Sequence, residues 1–109
     1  VKEIKILWAK WRFRYVAKLL GEDGDSCRGT CDLINTEIRI ERLMSYERKK
    51  VTVFHELLHA LSYMAGLDLS EDQVRGLSHN FFTVMKENPW LVPHMVPNVE
   101  AEDDSSIIG

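Results

Sequence analysis

Ser45-Tyr-Glu-Arg-Lys-Lys-Val-Thr-Val-Phe-His55-Glu-Leu-Leu-His59-Ala-Leu-Ser-Tyr-Met-Ala-Gly66 is the stretch in which the apolar period changes from two to 3.6. Val51, Phe54, Leu58, Leu61 and Ala65 fall on one helical stripe. Ser45 stands where an N-cap hydroxyl is wanted and Gly66 where a helix takes its left-handed terminal residue. The spacing therefore predicts a helix between those two residues.

Inside that helix, His55 and His59 lie four apart and so roughly 40° apart around the axis, close enough for both imidazoles to reach one metal ion. Glu56 lies about 100° from His55, a position from which a carboxylate can hold a water beside the ion without replacing a histidine. A zinc ion there would lower the pKa of the water, and Glu56 would take its proton during attack on a carbonyl. Thr52, Ser62 and Tyr63 share the narrow polar sector with the motif, and the rest from Val51 to Ala65 is apolar. The helix is therefore expected to be buried on most sides and wet along this stripe.

Towards the C-terminus, Leu69-Ser-Glu-Asp-Gln73-Val opens a second helix: Ser70 and Gln73 have the spacing of a capping box, Leu69 and Val74 that of a hydrophobic staple. Pro89 should end it near Asn88. Catalytic zinc commonly takes three protein ligands, and this helix offers Glu71, Asp72 and His79. Its apolar stripe of Val74, Leu77, Phe81, Phe82, Val84 and Met85 centres about 70° from Glu71, about 170° from Asp72 and about 150° from His79. Glu71 alone borders the expected buried face and is the preferred third ligand. Tyr63 and His79 are candidates for steadying an oxyanion opposite the metal. Beyond Pro89, the spacing of Pro93 and Pro97 points to an extended wrap over the surface.

Towards the N-terminus the period is two. Ile4 and Ile6 alternate with Lys5, and Trp11, Phe13 and Tyr15 with Arg12 and Arg14, as in half-buried strands. Gly21 to Ser26 is dense in turn formers, Leu33 to Thr36 has the place of a hairpin turn, and Thr36 to Ile40 alternates again. A small, mostly antiparallel sheet followed by two helices is an α+β fold.

The chain has 109 residues, 45% hydrophobic and 28% charged, which suits one globular domain with no apolar run long enough to span a membrane. The domain is expected over residues 1–96, with 97–109 a disordered acidic tail. Net charge is −3, but Glu100, Glu102, Asp103 and Asp104 lie in that tail, which leaves a nearly neutral body. Nucleic acid is thus not expected as the main partner, although Lys10, Arg12, Arg14 and Lys18 interleave with aromatics. Two cysteines are too few for a disulfide scaffold, and Val1 to Ile6 lacks the features of a signal peptide, so a cytoplasmic protein is expected.

His55-Glu-Leu-Leu-His-Ala-Leu61, a short loop and then Glu71-x-x-Val74-x-x-Leu77 resemble the small zincin-type metallopeptidases of the ImmA/IrrE kind, many of them encoded by phages and prophages. The resemblance spans about residues 28–91 and is strongest over the motif. It implies a zincin-like fold within the gluzincin pattern, Zn2+ held by His55, His59 and Glu71, Glu56 as general base, a protein or peptide substrate, and action in the cytoplasm, that of the host if phage-encoded. It also implies a sheet beside the active-site helix, to which Gly29-Thr-Cys-Asp32 and Glu37-Ile-Arg-Ile40 are fitted. An edge strand near Thr36 to Glu41 could then pair with an extended peptide. The helix that usually precedes the sheet is not evident here, and the step from His59 to Glu71 is short.

Three other readings compete. Cys27 and Cys31 with His55 and His59 could form a structural zinc site, though the spacing does not match compact fingers. SprT-like proteases, which act at DNA, share the His-Glu-x-x-His string. A zinc-binding regulatory module without proteolysis would keep the ligands but would not need Glu56.

Overall fold

The computed structural model describes residues 1–19 and 28–97. The alternation in the first forty residues becomes four strands, β1 (Lys2–Ile6), β2 (Ala9–Val16), β3 (Gly29–Asp32) and β4 (Glu37–Glu41). β1 and β2 pair as a hairpin with Ile4 opposite Trp11 and Ile6 opposite Ala9. β3 and β4 pair around the expected turn, with Gly29 opposite Ile40 and Cys31 opposite Ile38. Asp32 organises that turn: its Oδ1 accepts from the backbone N–H groups of Ile34 and Asn35 at 3.1 and 3.0 Å.

A parallel pairing of β2 with β4, Phe13 opposite Ile38 and Tyr15 opposite Ile40, joins the hairpins in the order β1-β2-β4-β3. Two pairings are thus antiparallel and one is parallel, a mixed sheet. The segment expected to be a free edge, Thr36 to Glu41, instead supplies the interior strand β4. β4 is flanked by β2 on one side and β3 on the other, and its Ile38 and Ile40 are almost wholly excluded from solvent. Among the described residues, the outermost strand on that side is β3.

One face of the sheet is apolar. Ile6, Trp11, Ile38 and Ile40 form a core with Ala60, flanked by Ile4, Phe13, Cys31, Val53, Leu57 and Leu61, so the helix containing the motif lies across this face. The other face is polar: Glu37, itself buried, lies 3.1–3.3 Å from guanidinium nitrogens of Arg12, Arg14 and Arg39.

The helices are α1 (Tyr46–Ala65), α2 (Glu71–Glu87) and the four-residue α3 (Val92–Met95). α1 begins where Ser45 Oγ accepts the Arg48 N–H and ends at Gly66 with φ 68°. Both reciprocal bonds of the Ser70–Gln73 capping box are formed, and α2 stops at Asn88, before Pro89. Residues beyond it do not extend as expected; Pro89–Leu91 is a 3-10 turn running into α3. Pro89 and Pro93 each occupy the first turn of a helical segment, where a fixed φ and a missing N–H cost nothing.

Burial along the helices also differs from expectation. On α1 the buried residues are Thr52, Glu56, Ala60 and Ser62, while Val51, Phe54, Leu58 and Leu61 are only half-buried. Thr52, Glu56 and Ser62 of the polar stripe face the seam between the sheet and α2, while Tyr63 is exposed. On α2 only Val74 of the expected stripe is fully buried; Leu77, Phe81 and Val84 are exposed. Gly21 to Ser26, Cys27, and the tail from Asn98 onward lie outside the described residues. Among the described residues, no helix is long and apolar enough to cross a membrane.

Candidate metal centre

The α-helical rise places the two motif imidazoles one above the other, with 3.1 Å between His55 Nε2 and His59 Nε2. The third group comes from the start of α2. Glu71 Oε1 lies 2.9 Å from His55 Nε2, and Glu71 Oε2 lies 2.8 Å from His59 Nε2. An ion with tetrahedral bonds of about 2.0–2.1 Å separates its ligands by about 3.3 Å, so three donors this close fit around one ion after a small expansion. His55, His59 and Glu71 form a group that could hold a metal ion, and two imidazoles with one carboxylate are a donor set that suits zinc.

Ser62 is what makes the short step from α1 to α2 reach. Its carbonyl accepts the Leu67 N–H at 2.9 Å and its Oγ accepts the Leu69 N–H at 2.9 Å, so the loop folds tightly back onto the last turns of α1. That turns the N-terminus of α2, and Glu71 with it, over the histidines. Of the alternative ligands, Asp72 points to solvent, its side chain 92% exposed, and pairs with Arg75 at 3.1 Å. His79, two turns further on, lines a neighbouring cavity and does not join the cluster.

Glu56 is only 8% exposed. Burial, helped by the charge of Glu71, pushes its carboxyl up from 4.5 to about 7. Burial also holds His55 below the ordinary imidazole value, against the pull of Glu71. β3 closes over Glu56 at Gly29: a Cβ there would lie 2.8 Å from Thr52 Cγ2 and 2.9 Å from Glu56 Cγ. Only glycine lets the strand approach this closely. Cys31, on the same face of β3, packs into the core, and its thiol is pushed up to about 12 by burial and by nearby Glu56 and Asp32. A protonated thiol is a poor ligand, and Cys31 is not part of the donor cluster.

Cavities lie on both sides of the cluster. One of about 640 Å³ is lined by Arg28, Gly29, Thr52, His55, Glu56 and His79, among others. The other, about 350 Å³, is lined by Leu33, His59, Ser62, Tyr63, Asp68 and neighbouring residues. β3 spans the two, with Gly29 at one and the turn after Asp32 at the other. Tyr63 and His79, considered together as oxyanion donors, are thus on opposite sides of the cluster, and Tyr63 is 58% exposed. Gly29 and the structural role of Ser62 were not singled out by the sequence pattern; the only local signal was a glycine opening a β-alternating segment and a serine in a polar stripe. Compared with protein-family models, curated proteins and solved structures, the chain matches none.

Proposed function

We propose that this protein is a zinc-dependent metallopeptidase, zincin-like in its site and fold and akin to the ImmA/IrrE kind, that hydrolyses peptide bonds of a protein substrate. The observation that carries the reading is the convergence of His55, His59 and Glu71 within hydrogen-bonding distance of one another, with the buried carboxylate of Glu56 one residue from the first of them. Bound zinc would supply Lewis acidity towards a water and a substrate carbonyl.

The chain's own residues do the rest. His55 and His59 would hold the ion through Nε2 and Glu71 through its carboxylate, the three protein donors that catalytic zinc commonly takes. Glu56 accepts the proton of the attacking water as its oxygen bonds to the carbonyl carbon, then returns that proton to the amine nitrogen as the C–N bond breaks. β3 offers a strand edge beside Glu56 that no described residue pairs with, which suits an extended peptide bound by backbone hydrogen bonds.

Metal content by mass spectrometry, with a peptidase assay, tests the reading on wild type, Glu71→Ala, Asp72→Ala and Glu56→Gln purified in parallel. Wild type and Asp72→Ala are expected to hold one zinc per chain, Glu71→Ala to lose it, and Glu56→Gln to keep zinc while losing activity by a factor on the order of 100 or more. Absence of zinc from the wild type, or full activity in Glu56→Gln, would sink the proposal.

A further inference from the structure

The larger cavity carries charge for which hydrolysis itself has no use. Its cationic lining is Arg28, Arg48, Arg75 and Lys86. Lys86 pairs with Glu47, and Arg75 pairs with Asp72 and approaches Glu71 at 3.8 Å. Arg28 and Arg48 make no ion pair with any described residue. Against them stand Glu56, buried at the cavity wall, and Glu87, at the last residue of α2, neither with an ion pair among the described residues. In all, four cationic side chains and three carboxylates, Glu47, Glu56 and Glu87, line the cavity, so among the described residues one positive charge is in excess.

Both arginines are carried on fixed backbone. The Arg28 carbonyl accepts the Glu41 N–H at 2.8 Å, and the next residue, Gly29, is the one pressed against Glu56. Arg48 donates its N–H to the Ser45 cap, and its carbonyl accepts the Thr52 hydroxyl at 2.7 Å. Arg48, Thr52 and Glu56 follow one another at four-residue steps on a single face of α1, so this guanidinium lies along the line that leads to the reacting carboxylate. Val51, Phe82 and Thr83 supply walls for the methylene stem of a guest side chain. A guanidinium fork matches a carboxylate in shape as well as sign.

We infer that Arg28 and Arg48 make this cavity a specificity pocket for an acidic side chain, Asp or Glu, on the peptide, so that cleavage falls beside an acidic residue. The inference rests on the metallopeptidase reading above and deepens it.

The test uses zinc-loaded full-length protein and three peptide hydroxamates that differ only in the side chain next to the metal-binding group: Glu, Gln or Lys. Affinities come from calorimetry, and a random decapeptide mixture cleaved by the same protein gives the preferred residues. The Glu probe is expected to bind roughly tenfold tighter than the isosteric Gln probe, and Asp and Glu to be enriched beside the cut. Arg28→Gln and Arg48→Gln, each with zinc content verified, should each shrink the Glu-to-Gln affinity ratio, and Arg28→Glu with Arg48→Glu should invert the preference towards Lys. Equal binding of Glu and Gln probes by the wild type overturns the inference while leaving the peptidase intact if the mixture is still cut. Equal weakening of all three probes in the arginine variants also overturns it, because that marks a structural role. Failure of every probe together with absence of zinc overturns both readings at once.

Discussion

Glu56 is a carboxylate buried beside a second carboxylate, with no ion pair among the described residues, an arrangement that disfavours its charge. Its folded carboxyl holds a proton up to about 7 instead of 4.5, so the folded state binds that proton more tightly than the unfolded chain does. Stability from this group is therefore fully present below about pH 4.5 and is lost as pH rises through 7. His55 works the other way: with its value lowered, it contributes stability above the ordinary imidazole range that is lost as pH falls. Substitution isolates the Glu56 share. In chelator, Glu56→Gln should match the wild type in stability near pH 4 and exceed it at pH 8 by on the order of 3 kcal/mol. Urea titrations of both proteins across that range would measure the gap; a gap that stays constant with pH would show that Glu56 is solvated in the folded protein.

At the scale of elements, the site depends on how closely β3 approaches α1. Gly29→Ala places a methyl carbon within about 3 Å of Thr52 Cγ2 and Glu56 Cγ, neither of which is the loose end of an exposed chain. The strand or the carboxylate must then move, which should lower stability by about 1–3 kcal/mol and cut the proposed peptidase activity more than the proposed zinc binding. Adding Thr52→Ser removes one of the two clashing groups and should recover part of the stability; denaturation midpoints with parallel zinc analysis would show it, and an unperturbed Gly29→Ala protein would mean that β3 stands further off. The helix bounds, both caps, the hairpin turn and the His55–Glu56–His59 face were readable because each is set by contacts within a few residues. Glu71 joins the cluster as expected but for another reason, since Leu77, Phe81 and Val84 of the apolar stripe are exposed and it is the Ser62 loop that carries Glu71 over the histidines. The partner of β4 was not readable: alternation fixes which residues face inward but not which strand lies alongside, and the parallel match of Phe13 with Ile38 joins residues far apart in sequence. Gly29 and Ser62 were illegible for a similar reason, since a close approach and a loop hydrogen bond exist only between elements.

Across the whole molecule, the sheet and α1 share one core, whereas α2 leans on α1 and on the turn that follows it, burying only Val74 and Ser78 completely. Leu77, Phe81 and Val84 stay about half exposed, so apolar burial holds α2 less firmly than it holds α1. The candidate ligand set crosses this seam, two groups from α1 and one from α2. A bound ion would thus act as the clamp between a firm body and a loosely attached helix. Zinc at 100 times its dissociation constant adds about 2.7 kcal/mol, which in a domain of this size corresponds to a rise in Tm of roughly 10–20 °C. Chelation should reverse that rise and do so unevenly. Amide hydrogen exchange should accelerate across α2 and the loop at 66–70, while β1, β2, β4 and the middle of α1 keep their protection. Uniform acceleration over the chain would mean that the ion is integral to the core, and no change anywhere would mean that α2 is held by packing alone.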